Sequence, residues 1–110
     1  MVWRIRDRST FEALRRAGRR ARRGHVAVTY VDCGDESAPR VAYAVGRRVG
    51  GSVVRNRVRR RLRAAVADIS GSLRPGAYLV SAGGASADLP FEQLRADVTA
   101  AMTSASGSRP

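Results

Sequence analysis

Between residues 52 and 69 the apolar side chains Val54, Val58, Leu62, Ala65, Val66 and Ile69 recur at three- and four-residue intervals. At about 100° per residue they form one stripe of a helix. The remaining surface is arginine: Arg55, Arg57, Arg59, Arg60, Arg61 and Arg63 occupy six of the nine positions from 55 to 63, interrupted only by Asn56, Val58 and Leu62. The pattern predicts a helix over 53 to about 68, with Ser52 as its N-cap, one face built to bury and the rest built to meet anions.

Such a helix opposes its own formation. Arg55/Arg59, Arg57/Arg61 and Arg59/Arg63 are like-charged pairs one turn apart, each costing roughly 0.2–0.5 kcal/mol. Arg55 and Arg57 also lie in the first turns, where the helix dipole disfavours cations. An anionic partner reverses both effects. A merely solvated charged face would mix signs, and no acid lies in this run.

The whole chain carries the same imbalance, with 21 basic residues against 9 acidic ones, a net charge of +12 and a pI near 11.7. Folding works against this self-repulsion, a polyanion relieves it, and nucleic acid is the partner class it implies. Every basic residue is arginine. That favours bidentate phosphate contacts and stacking on bases, although a GC-rich coding bias would leave the same mark.

A chain of 110 residues suits one compact domain, and 44% apolar content suffices for a core. The single Cys33 excludes an internal disulfide framework and reads as a free thiol at a strand end, and with one histidine no zinc site of ordinary ligand count can be assembled. No apolar run approaches the roughly 20 residues of a membrane span. The start at Met1, Val2, Trp3 and Arg4 lacks the apolar core of a secretory signal, so a cytoplasmic location without membrane association is expected.

Elsewhere the periodicities alternate. Ser9 and Thr10 can cap a short helix reaching Ala17, with Phe11 and Leu14 on one side and Gly18 as its stop. The basic connector 19–23 has room for an extra short strand around Arg20 to Arg23. Residues 25–32 and 40–46 alternate as strands, and the turn-rich stretch from Gly34 to Pro39 between them suggests a hairpin. After the arginine helix come a turn at 71–75, a strand over 77–82, a small-residue loop over 83–88, and a last helix opened by Pro90 with Phe91, Leu94, Val98 and Met102 at helical spacing. The order describes a small α+β sandwich occupying residues 1–102, with a disordered Ser/Gly-rich tail over 103–110.

The run from Val45 through Gly46, Arg47, Arg48, Gly50, Gly51, Arg55, Asn56 and Arg57 to Arg63 closely resembles the signature of the bacterial ribonuclease P protein subunit. The likeness extends to Phe11 followed by Gly18, the strand containing Tyr78 and the closing helix, and so covers nearly residues 4 to 102. The resemblance implies a sheet of about four strands packed with helices, as in a domain also used by ribosomal proteins. It further implies a left-handed βαβ crossover, whereas general rules favour the opposite hand in about 98% of cases. It implies a partner, the catalytic RNA, that removes the 5′ leader of precursor tRNA by Mg2+-dependent phosphodiester hydrolysis. The magnesium and the chemistry then belong to the RNA, and the polypeptide acts as a monomer within the ribonucleoprotein.

The acids are scattered over caps, loops and helix flanks, without the converging oxygens that a protein-held metal needs, and His25 has no evident partner. No catalytic or metal-binding residue is therefore assigned. By resemblance, Arg47, Arg48, Arg55, Asn56, Arg57, Arg59, Arg60 and Arg63 bind the catalytic RNA. Helical geometry places Asn56, Arg60 and Arg63 near the outward centre with Arg59 beside them, while Arg55 and Arg57 flank the buried stripe. Asn56, with donor and acceptor, either fixes a loop or nucleotide edge or makes a hydrogen bond at the helix start.

In the family the unpaired leader lies in a cleft between the first helix and one sheet face. Phe11 matches an aromatic position there; it either stacks on a base, worth roughly 1–3 kcal/mol, or belongs to the core. Arg15 and Thr29 stand where the family often carries aromatics, which makes the cleft more polar, and Tyr30 and Tyr43 are substitutes unless strand parity buries them. Gly83 replaces a frequent family arginine. Three other classes share parts of this pattern. A ribosomal or other structured-RNA-binding protein would co-purify with ribosomal subunits, a DNA-binding protein would need a more mixed set of base-reading side chains, and a protein-only nuclease would cleave precursor tRNA without added RNA.

Overall fold

The computed structural model describes residues 2–34 and 38–107. Its elements run β1 (Trp3–Arg4), α1 (Arg8–Ala17), β2 (Arg19–Arg23), β3 (Val26–Val31), β4 (Arg40–Val45), α2 (Ser52–Ile69), β5 (Ala77–Ala82) and α3 (Phe91–Ser106). Single turns of 3-10 helix precede α2 at Arg47–Val49 and α3 at Gly84–Asp88. No helix among the described residues is long and apolar enough to cross a membrane.

The five strands form one mixed sheet in the order β1-β4-β5-β3-β2. The hairpin expected between residues 25–32 and 40–46 does not form: β5 lies between those strands, antiparallel to β3 and parallel to β4. The real hairpin is β2–β3, with Arg19 opposite Tyr30 and Arg23 opposite Val26. Gly24 turns it at a φ of 58°, and a Cβ there would fall 2.3 Å from a carboxylate oxygen of Asp97 on α3. The extra strand foreseen within the basic connector is thus β2, and a two-residue β1 adds a fifth. Of the expected turn over 34–39, residues 35–37 lie outside the described region.

The helices divide between the two faces. Against one, α2 and α3 bury Val58, Leu62, Val66, Leu94, Val98 and Met102 over Val26, Val28, Val41, Tyr78 and Val80. Val58, Leu62 and Val66 reach 0% exposure. Burying each gains roughly 1.5–3 kcal/mol, which outweighs three like-charge pairs at roughly 0.2–0.5 kcal/mol apiece, so the stripe forms the helix despite the arginines. On the other face α1 covers a smaller cluster of Ile5, Leu14 and Ala77, with Phe11, Ala42 and Leu79 around it.

Local details differ from the sequence expectations at the helix ends. The cap of α1 is Asp7, whose carboxylate accepts hydrogen bonds from Thr10 Oγ1 at 2.5 Å, Ser9 Oγ at 2.7 Å and the Thr10 backbone N–H at 2.9 Å. These bonds hold its pKa down at about 2. Gly51, not Ser52, is the N-cap of α2, without a side-chain cap. Residues 103–106, expected in the tail, are helical instead: α3 continues to Ser106 with Ala105 and Ser106 buried; residues 108–110 lie outside the described region. Gly18 ends α1 so close to β3 that a Cβ would lie 2.4 Å from both the Leu14 carbonyl oxygen and Thr29 Cγ2.

Candidate nucleic-acid interface

The arginines of α2 fall into distinct environments. Arg57 donates to the Ala87 carbonyl at 2.9 Å; Arg61 donates to the same oxygen at 3.4 Å and also to the Leu89 carbonyl. These two side chains clamp the segment between β5 and α3 onto the helix. Arg55 is half-buried, with its Nε shielded from solvent. Arg47 and Arg48 are exposed on the turn leading into the helix.

Arg59, Arg60 and Arg63, with Asn56, face a groove of about 1170 Å³. The Asn56 side-chain oxygen accepts from the Arg59 guanidinium at 2.9 Å, so Asn56 orients an arginine and keeps its own amide hydrogens available. Arg63 lies 5.6 Å above the ring centroid of Tyr43, a cation–π arrangement that presents the guanidinium over the groove wall. Burial pushes the Tyr43 hydroxyl up to about 12, so it stays protonated and can donate at neutral pH. No carboxylate is within ion-pair distance of Arg59, Arg60 or Arg63 among the described residues.

The groove does not stop at α2. Phe11 from α1 and the strand residues Val2, Trp3, Arg4, Ile5, Val41, Ala42 and Tyr43 also line it, so it rounds the β1 edge of the sheet and joins its two faces. Phe11 is half-buried: it packs against the second cluster and lines this groove. The core alternative is thus realised in part, and the rest of the ring borders the groove. Arg15, one turn on from Phe11, is exposed.

The five residues expected at a leader cleft are not one surface. Phe11 and Thr29 belong to the α1 side of the sheet, whereas Tyr30 and Tyr43 point to the α2/α3 side by strand alternation. Tyr43 rejoins Phe11 through the groove around the β1 edge. Tyr30 does not. It is 4% exposed, packs its ring at a 51° tilt against Tyr78 at 4.8 Å between centroids, and donates its hydroxyl to the Pro75 carbonyl at 2.6 Å, which makes it a core residue.

Sequence reasoning passed over Trp3 and Arg4, which a two-residue strand too short for a periodic signal places in the groove wall. It also passed over a smaller groove of about 190 Å³ lined by Arg20, Arg22, His25, Ala27, Ser81, Ala82 and Gly83. The strand alternation of Arg20 and Arg22 around the buried Ala21 was the signal that could have revealed it. Gly83, standing where the family often has arginine, lines this second groove beside two arginines of β2.

Comparison with known proteins bears on the same surface. The family model described as Ribonuclease P matches residues 2–106. The ribonuclease P protein component of Symbiobacterium thermophilum is 39% identical over 99 residues, covering 88% of this chain and 85% of that one. A stretch of 67 residues is 48% identical to the ribonuclease P protein component of Acidothermus cellulolyticus, spanning 59% of this chain and 55% of its counterpart. In three dimensions the RNase P protein of Staphylococcus aureus superposes with a TM-score of 0.83 at 17% identity, covering 94% of each chain. The α+β fold is shared, the family model takes in α1, the groove and α2, and the chain belongs to the ribonuclease P protein family.

Proposed function

We propose that this protein is the RNA-binding subunit of ribonuclease P: one copy, acting in the cytoplasm, binds the catalytic RNA and the 5′ leader of precursor tRNA and assists Mg2+-dependent removal of the leader. The observation that carries this reading is the shared groove, in which Asn56, Arg59, Arg60 and Arg63 on one wall and Phe11 on the other line a single continuous surface. Guanidinium groups suited to phosphates thus open onto the same space as an aromatic ring suited to unpaired bases. Arg47 and Arg48 extend the positive surface at the start of the helix, and Arg15 and Thr29 continue the α1 side.

The disposition of the acids supports a division of labour. Asp7 caps α1, Glu12 pairs with Arg8 at 3.5 Å, Asp32 with Arg74 at 3.6 Å, and Asp68 with Arg95 at 3.2 Å. Asp97 accepts from Gln93 at 3.0 Å. Each is engaged with its own chain, and no group of three or more His, Cys, Asp or Glu that could hold a metal assembles among the described residues. In this reading the magnesium ions and the hydrolytic step reside in the RNA, and the protein contributes charge neutralisation and positioning of the leader.

Reconstitution tests it. At low Mg2+ the protein alone should leave precursor tRNA intact, the catalytic RNA alone should cleave slowly, and the two together should cleave fast. Cleavage by rigorously RNA-free protein would overturn the division of labour. A protein that leaves the RNA's rate unchanged and instead co-purifies with ribosomal subunits would assign the same surface to another structured RNA.

A further inference from the structure

Trp3 has its backbone pinned and its ring left in the open. Its N–H donates to the Pro39 carbonyl at 2.8 Å and the Ile5 N–H to the Val41 carbonyl at 3.4 Å, in parallel register with β4. Val2 on one side packs against the main core, and Ile5 on the other is 5% exposed within the second cluster. The indole between them is nevertheless 59% exposed; among large apolar residues in the described chain only Val53 is comparably open. A side chain of this size gains most by burial, and here it lines the large groove together with Arg4, Arg59, Arg60 and Arg63.

We propose that Trp3 is a stacking platform for an unpaired RNA base, with the phosphates of the same strand held by Arg4 and by Arg59, Arg60 and Arg63 of α2. An open aromatic ring beside a wall of cations is the arrangement by which proteins hold single strands, because every base offers a π-face and every nucleotide a phosphate. The anchoring by Val2 and Ile5 means that the Trp3 backbone is held in place before the strand arrives, which reduces the ordering cost of binding. The inference rests on reading the groove as an RNA interface. The stacked base belongs either to the leader of the substrate or to an unpaired nucleotide of the catalytic RNA.

Trp3 is the only tryptophan in the chain, so its emission reports on the site in the unmodified protein. The protein is titrated with an unstructured single-stranded RNA, with the same strand made abasic, and with a duplex of equal length. The base-bearing single strand should quench Trp3 and bind most tightly. Trp3→Ala should weaken it by roughly 5- to 150-fold with little effect on the abasic strand, and Trp3→Phe should recover most of the loss. Unchanged emission at saturation, or Trp3→Ala binding the base-bearing strand as well as wild type, overturns the proposal. Thermal unfolding of both variants should match wild type, since the ring is open to solvent.

Two further titrations assign the source of the base. Quenching by leader-bearing but not by leaderless precursor tRNA places it in the leader, and quenching by the RNA subunit alone places it in the catalytic RNA. A wild-type protein that accelerates cleavage at low Mg2+ without any quenching overturns the role of Trp3 and leaves the ribonuclease P reading standing. Base-dependent quenching by a protein that never accelerates cleavage does the reverse.

Discussion

Arg57 and Arg61 differ from Arg59, Arg60 and Arg63 only in where the helix turns them. The first pair is bound to the carbonyls of Ala87 and Leu89, while the three others open onto the groove. Residue type and neighbourhood in sequence are the same, so function in this helix is a matter of angle about the axis. One side donates to backbone oxygens of the chain, while the other opens its guanidinium groups onto the groove, with Arg59 also held by Asn56, so one basic segment can serve the fold and, on the proposed reading, RNA binding.

The largest separation of the two sets is expected from replacing Arg59, Arg60 and Arg63 together by Ala. Loss of three phosphate neutralisations should flatten the salt dependence of RNA binding by about 2 to 3 units of slope, at roughly 0.7–0.9 per contact. The melting temperature should hold or rise, since like-charge pairs are relieved. Unchanged affinity and slope across a salt titration would break the comparison outright.

Replacing Arg57 and Arg61 by Ala should do the opposite. Hydrogen bonds from charged donors contribute about 1.5–3 kcal/mol each when buried, but both side chains are partly solvated. A combined loss of about 1–3 kcal/mol in denaturant unfolding is therefore expected, with the salt slope nearly intact. A variant that binds RNA poorly while unfolding normally would move this pair into the interface.

Phe11→Ala sharpens the comparison from the far wall of the groove. It should weaken leader-bearing precursor tRNA by about 1–3 kcal/mol and leave mature tRNA and the catalytic RNA nearly unaffected, read as three binding isotherms. Equal weakening of all three, with a lower melting temperature, would mean that its packing on the second cluster is its whole role.

The smallest effect belongs to Asp7, which seats the helix carrying Phe11. Its pKa of about 2 lies below the ordinary value of 3.8, so its stabilising contribution is complete above about pH 4 and is lost as pH falls through about 2. Asp7→Asn should melt slightly below wild type at neutral pH, and the gap should close on acid titration between pH 4 and 2. A gap that persists at pH 2 would mean that the hydroxyl and N–H donors, and not the charge, account for the cap.

How much of this could be read from residues alone varies by element. The spacing of Val58, Leu62 and Val66 announced α2 because a single helix expresses its own period, and the burial of all three agrees with it. Leu94, Val98 and Met102 did the same for α3. The division of the arginines into outward and flanking positions was also visible, although nothing local said that Arg57 would find the Ala87 carbonyl 30 residues away.

Strand pairing was another matter. The alternation in 25–32 and 40–46 determined two strands and the faces of their side chains, but a period of two contains no information about which strand lies next. Only tertiary packing inserted β5 between β3 and β4, sent Tyr30 into the core against Tyr78, and left Trp3 and Arg4 beside the arginines of α2. The sequence by itself determined the helices and the charge of their faces, because these depend on neighbours a few residues apart. The groove that joins Phe11 to Asn56 depends on contacts between segments some 45 residues apart in the chain, and those are decided only when the apolar faces bury one another.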